Sequence, residues 1–140
     1  MREFIAHFDC VTCICLIERL NIIISGGEDG SIYIRNLYDL KLITYIKPEQ
    51  ERFFRTECKI LDIKISNYDL LYIQIFSHDE IYLIGYNLNG LNFGILKRPV
   101  NCYEFTPAGN LIISEYFSED LFLYHPITFK MVILIKNVFL

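Results

Sequence analysis

Residues 21–37 read NIIISGGEDGSIYIRNL: an apolar run, a cluster of Gly and acidic residues, then a second alternating run. Two strand-like segments rich in Ile and Tyr, joined by turn residues, form the pattern of a β-hairpin. A two-stranded hairpin alone is marginal in water. The rest of the chain must therefore supply something for this one to pack against.

That partner is more of the same. Sliding the sequence by 89 residues lays CVTCICL (10–16) on PVNCYEF (99–105) and NIIIS (21–25) on NLIIS (110–114) without a gap. Val11 falls on Val100, Cys13 on Cys102, Ser25 on Ser114 and Lys41 on Lys130. A shift of 49 residues finds a middle copy, with Val11 on Ile60, Leu16 on Ile65, Ile24 on Ile73 and Ile32 on Ile81. The third strand of each copy then reads Ile32-Tyr33-Ile34, Ile81-Tyr82-Leu83 and Leu121-Phe122-Leu123.

Each copy holds four short strand segments. They are expected at 11–17, 21–26, 31–36 and 41–46; at 59–65, 70–76, 80–86 and 91–96; and at 100–105, 110–116, 120–125 and 129–135. Turn residues separate them: Gly26-Gly27 with Asp29-Gly30, Asn67 to Asp69, Asn89-Gly90 and Pro107 to Gly109. Four antiparallel strands every 40 to 50 residues is the blade of a β-propeller. The fold class expected is all-β, a partial β-propeller of about three four-stranded blades. The units run over about 7–46, 58–96 and 99–135 within one region spanning 1–140. Neighbouring blades cover both faces of an inner blade, which accounts for 53% hydrophobic residues and for strands apolar nearly throughout.

AHFDCVTCICLIERLNIIISGGEDGSIYIRNL (6–37) resembles a WD repeat. The resemblance puts His7, Ser25 and Asp29 at the positions of the family's hydrogen-bonded network, and Arg35 where its Trp belongs. Ala6 replaces the family's Gly and Asn36 its Asp, and the second and third units keep little of the signature. The order of one strong repeat, a degenerate one reading DEIYLIGYNLNGLNFGI (79–95) and a third also looks like the C-terminal WD repeats of BEACH-domain, neurobeachin-like proteins. YNLNGLN, Tyr86 to Asn92, echoes their -SINGK- segment. That resemblance implies part of a large cytoplasmic scaffold in vesicle and membrane traffic.

Composition excludes several other roles. Net charge is −4 with Lys and Arg scattered singly, so no basic stripe faces a phosphate backbone and no nucleic-acid partner is expected. No stretch reaches the roughly 18 to 20 apolar residues of a membrane span. Glu18 and Arg19 close the run CVTCICLI, and no cleavage site follows it. Five cysteines without an export signal read as reduced thiols in the cytoplasm.

His7, Cys10, Cys13 and Cys15 have the outline of a metal site. On a strand, however, Cys13 and Cys15 share one face and Cys10 the other, and zinc usually takes a second ligand pair. No metal and no cofactor are expected. His7, Asp29 and Ser25 are also the residue types of a catalytic triad. With no Gly-x-Ser-x-Gly elbow around the Ser, they read as structure and the chain as no enzyme. His78 and His125 fall at turns or strand ends.

The surplus of the first period sits in KPEQERFFRTE (47–57). There Phe53 and Phe54, flanked by Arg52 and Arg55, have the make-up of a protein-binding hot spot. The expected function is a non-catalytic protein-interaction module. Three blades fall short of the four needed for closure, so remaining blades or self-association are expected to cover two apolar faces. The competing expectation is a small β-sandwich or barrel binding an apolar ligand, in which strands of distant units pair.

Overall fold

The computed structural model describes residue 7, residues 9–48 and residues 57–136. Twelve strands follow one another: β1 Val11–Ile17, β2 Ile22–Gly27, β3 Ile32–Asn36, β4 Leu42–Ile46, β5 Lys59–Ile65, β6 Leu70–Ser77, β7 Glu80–Asn87, β8 Asn92–Leu96, β9 Val100–Phe105, β10 Leu111–Glu115, β11 Leu121–Tyr124 and β12 Met131–Ile135. One 3-10 turn, Glu18–Leu20, lies between β1 and β2. DCVTCICLIERL is thus strand for most of its length.

The strands form three four-stranded antiparallel sheets in sequence order, β1–β4, β5–β8 and β9–β12. Every strand pairing among the described residues joins strands of one sheet. A sandwich or barrel needs ladders between distant units, so this grouping overturns that alternative. The sheets are blades stacked face to face, with an apolar core in each of two joints.

In the first joint Ile24, Ile32 and Ile34 of the first blade meet Ile60, Ile73 and Ile84 of the second, all 0–2% exposed. In the second joint Tyr72 and Leu83 of the second blade meet Val100, Leu111, Ile113 and Phe122 of the third. The middle blade is therefore covered on both faces, which is why β6 is apolar at nearly every position. Polar bonds also cross the joints. Thr12 donates to the Ile60 carbonyl at 2.5 Å, Gln74 to that of Val100 at 2.7 Å and Lys64 to that of Tyr103 at 2.8 Å. Arg19 and Asp69 form an ion pair between the first two blades.

The ladders correct the ungapped repeat match. A β-bulge lies at the same place in each first strand, after Val11, Ile60 and Val100. Beyond it, Cys13 pairs with Gly26, Asp62 with Gln74 and Cys102 with Ser114. Ser114 therefore corresponds to Gly26, and Ser25 corresponds to Ile113. The cause is the first hairpin connection. Leu16 and Ile23 are paired across six residues, whereas Ile65–Leu71 and Phe105–Leu111 each enclose five. The extra residue is taken up by the 3-10 turn and by Asn21, held at φ 54. A one-residue slip turns every side chain to the other face of a strand. In the third strands the slot holds Ile32-Tyr33-Ile34, Leu83-Ile84-Gly85 and Leu121-Phe122-Leu123, two residues further along β7 than the ungapped match places it.

Candidate functional site

Two features stand at the end of the blades formed by the β2–β3, β6–β7 and β10–β11 turns. The first is the cluster around His7. Nδ1 of His7 lies 3.1 Å from Oδ1 of Asp29, and Nε2 lies 2.9 Å from Oγ of Ser25. Ionised Asp29 only accepts hydrogen bonds, so in neutral His7 the proton sits on Nδ1 and Ser25 donates to Nε2. Asp29 also accepts from the backbone N–H of Ser31 at 3.1 Å, which ties the β2–β3 turn to the imidazole.

This wiring is that of a serine nucleophile with its base. Its surroundings are those of a strut. The His7 side chain is fully buried. A Cβ at Gly27 would come within 2.7 Å of Nδ1, so only glycine lets the ring lie this close to the strand. The Tyr33 ring covers His7 edge-on at 4.9 Å between centroids, because Tyr33 pairs directly across from Ser25. Arg35 joins from the next same-face position of β3. Its guanidinium lies over the Tyr33 ring at 5.5 Å and donates to the Leu40 carbonyl at 3.3 Å. Sequence reading missed Tyr33. The signal for it was present, since it sits two residues before Arg35 on a strand and so shares its face.

The second feature is a groove of about 350 Å³ across the joint between the second and third blades. Phe76, Ile81 and Pro99 supply its apolar walls, and Tyr116 and Phe117 its lip. The Phe117 ring is wholly exposed, at φ 63, and lies 6.4 Å from that of Tyr116. Lys97 pairs with Glu80 at 2.9 Å, and Arg98 grips buried Glu115 at 2.5 and 2.9 Å. The ion pair with Lys97 helps hold the Glu80 carboxyl below its usual range, and that with Glu115 holds the Arg98 guanidinium above its own. Asp79 adds a further acid to the lining. An aromatic lip over an apolar floor is suited to apolar and aromatic side chains.

Arg52, Phe53, Phe54 and Arg55 lie outside the described residues. The segment carrying them is flanked by the end of β4 and the start of β5, both at this same end of the blades. The thiols separate as well. Cys13 and Cys15 are turned into the first joint, where burial, with the Asp62 charge as a lesser cause, pushes both up. Cys10 stays at the surface beside Asp9 and Glu28, with ligand atoms within 4.8 Å of one another.

No family model matches this chain, and no curated protein matches it. Solved structures do. The WD40 repeats of RRP9 superpose with a TM-score of 0.74 at 11% identity, over 97% of this chain and 41% of that one. The Cps50 (Swd1) β-propeller domain of Myceliophteria thermophila gives a TM-score of 0.67 at 12% identity, over 91% of this chain and 44% of that one. The chain thus spans less than half the length of either. At such identities the likeness is one of fold, and the fold is that of WD40 propeller blades.

Proposed function

We propose that this chain is a non-catalytic protein-interaction module, a three-blade segment of a WD-repeat scaffold. The observation that carries the reading is the groove beneath Tyr116 and Phe117, a largely apolar cleft with an aromatic side chain in open solvent. The partner is a protein presenting apolar and aromatic side chains. Arg52, Phe53, Phe54 and Arg55 are proposed as further protein-binding residues on the strength of their aromatic-plus-Arg make-up. His7, Ser25, Asp29 and Arg35 serve as the strut that fixes the β2–β3 turn. The burial of the His7 side chain, with the Tyr33 ring packed against it, supports this.

The finer reading is a BEACH-type scaffold at work in vesicle and membrane traffic, on the cytoplasmic side. It is supported by the echo Tyr86–Asn92 on the β7–β8 hairpin, where the Asn87 side chain caps the turn by accepting from the N–H groups of Asn89 and Leu91. A BEACH-like domain upstream in the same reading frame is the expected finding, and its absence would remove that finer reading. Pull-down from the source cell tests the binding role. Capture of one partner set by the chain, lost on Phe53→Ala/Phe54→Ala and on Phe117→Ala, is expected; capture unchanged by both sinks the surface.

A further inference from the structure

We propose that the groove beneath Tyr116 and Phe117 takes a segment of a partner protein in which an aromatic or aliphatic side chain stands next to a Lys or Arg. The apolar side chain lies on the groove floor and the cation meets Asp79. The inference rests on the protein-binding role proposed above and adds the chemistry that the partner must carry.

The charges that line the groove differ in their commitments. Lys97 pairs with Glu80 at 2.9 Å, and Glu80 also accepts from the Tyr82 hydroxyl at 2.9 Å. Arg98 is held by Glu115 through two of its nitrogens, at 2.5 and 2.9 Å. Both cations of the lining are thus engaged by acids of this chain. Asp79 is exposed and, among the described residues, its side chain makes no ion pair and no hydrogen bond. The groove therefore offers one uncommitted charge, and that charge is negative. A carboxylate brought in by a partner would meet Asp79 with no free cation to offset it, whereas a Lys or Arg would find it open. The same sign disfavours a phosphate backbone or an anionic lipid surface, both of which need free cations.

The backbone sets this charge opposite the aromatic lip. Ser77 pairs with Glu80, so His78 and Asp79 are the two residues of the β6–β7 turn, at φ 55 and 61. Positive φ at both central positions is the mark of a type I′ hairpin turn. Across the joint, the Tyr116 N–H donates to the Pro99 carbonyl at 2.8 Å and ties the lip to the floor. Phe117 then takes φ 63, an uncommon value for a bulky side chain, while its ring stands wholly exposed. Burial of that ring does not offset the backbone cost, and outliers of this kind gather at ligand clamps. A volume of about 350 Å³ lies at the small end of ligand pockets, which span about 300–1,000 Å³. It has room for one or two side chains rather than for a folded element.

The test is selection of linear peptides from a random phage-displayed library on the full 140-residue chain. Fluorescence anisotropy of the selected peptides then compares the wild type with two variants. The expected peptides carry an aromatic or aliphatic residue beside Lys or Arg. Phe117→Ala should abolish their binding. Asp79→Asn should weaken it about two- to fivefold at low ionic strength, the range of an exposed charge pair, and the difference should shrink at high salt. Asn tolerates positive φ, so this variant keeps the turn. Exchanging the peptide's Lys or Arg for Glu should weaken binding to the wild type more than to Asp79→Asn. Peptides lost on Phe117→Ala yet indifferent to Asp79→Asn, or rich in Asp and Glu, would overturn the proposal and leave the groove as a binding surface. Peptides held equally well by Phe117→Ala, or no selected peptide at all, would overturn it together with the groove's binding role.

Discussion

The side-chain amide of Gln74 donates to the carbonyl of Val100 at 2.7 Å, carrying a hydrogen bond from the second blade to the third between two buried residues. A buried polar group whose partner is removed costs about 1–3 kcal/mol. Gln74→Leu keeps the bulk and deletes the donor, so it should lower stability by about that amount, read as the shift in a urea or thermal unfolding midpoint. No change would mean that the joint is held by its apolar contacts alone.

His7 is the keystone of the first turn. His7→Ala removes a buried ring together with its bonds to Asp29 and Ser25, and should cost about 2–4 kcal/mol. Ser25→Ala removes only one of those bonds and should cost about 1 kcal/mol. A strut predicts that order in thermal melts; equal small effects would contradict it.

Gly85 sits under an aromatic ring. A Cβ there would lie 2.2 Å from Cζ of Phe93, whose ring is itself held between Tyr72 at 5.8 Å and Phe129 at 6.0 Å. Overpacking of that kind costs about 1–3 kcal/mol. Gly85→Ala should destabilise the chain by that much, and Gly85→Ala with Phe93→Leu by less, as measured by denaturant midpoints.

Alkali should unfold the protein through its tyrosines. Burial pushes the Tyr72 phenol up to about 12 from 10, and burial likewise holds Tyr103 well above its ordinary value. Each keeps its proton in the folded chain where the unfolded chain would lose it. Their contribution is therefore whole below pH 10 and disappears as pH rises from there toward 12. Unfolding midpoints should fall across that window, with phenolate absorbance appearing in step with unfolding. Phenolate that forms fully before the backbone signal changes would refute the assignment.

The thiols should react in an order set by the joints. Cys10 and Cys102 are exposed, while Cys13 and Cys15 are half-buried with raised pKa, which lowers their thiolate fraction at neutral pH. Timed alkylation followed by peptide mass spectrometry should label Cys10 first and Cys13 and Cys15 later, with buried Cys58 last. Cys102, exposed like Cys10, should be labelled with it.

Much of the architecture was legible because repetition amplifies weak signals. One hairpin is ambiguous, but three copies with turns at matching places leave one topology, and all twelve strands fall within two residues of the expected bounds. Register was harder to read. Ser25 and Ser114 match as letters, yet the six-residue and five-residue connections that precede them put their side chains on opposite faces. No property of Ser itself reveals that. Tyr33 escaped for a related reason: its place against His7 depends on being opposite Ser25, which the ladder shows and the motif does not name. The groove draws on β6, β7, two turns and the β8–β9 link, so no single stretch announces it.

The turn at Glu18–Leu20 bears on how such repeats diverge. A corner that absorbs one residue lets a copy change length without inverting the strand that follows. The first blade does so, with Gly26 occupying the berth of Gln74 and Ser114 although its connection is one residue longer. The length of that turn is thereby uncoupled from the inward and outward pattern of the strand beyond it.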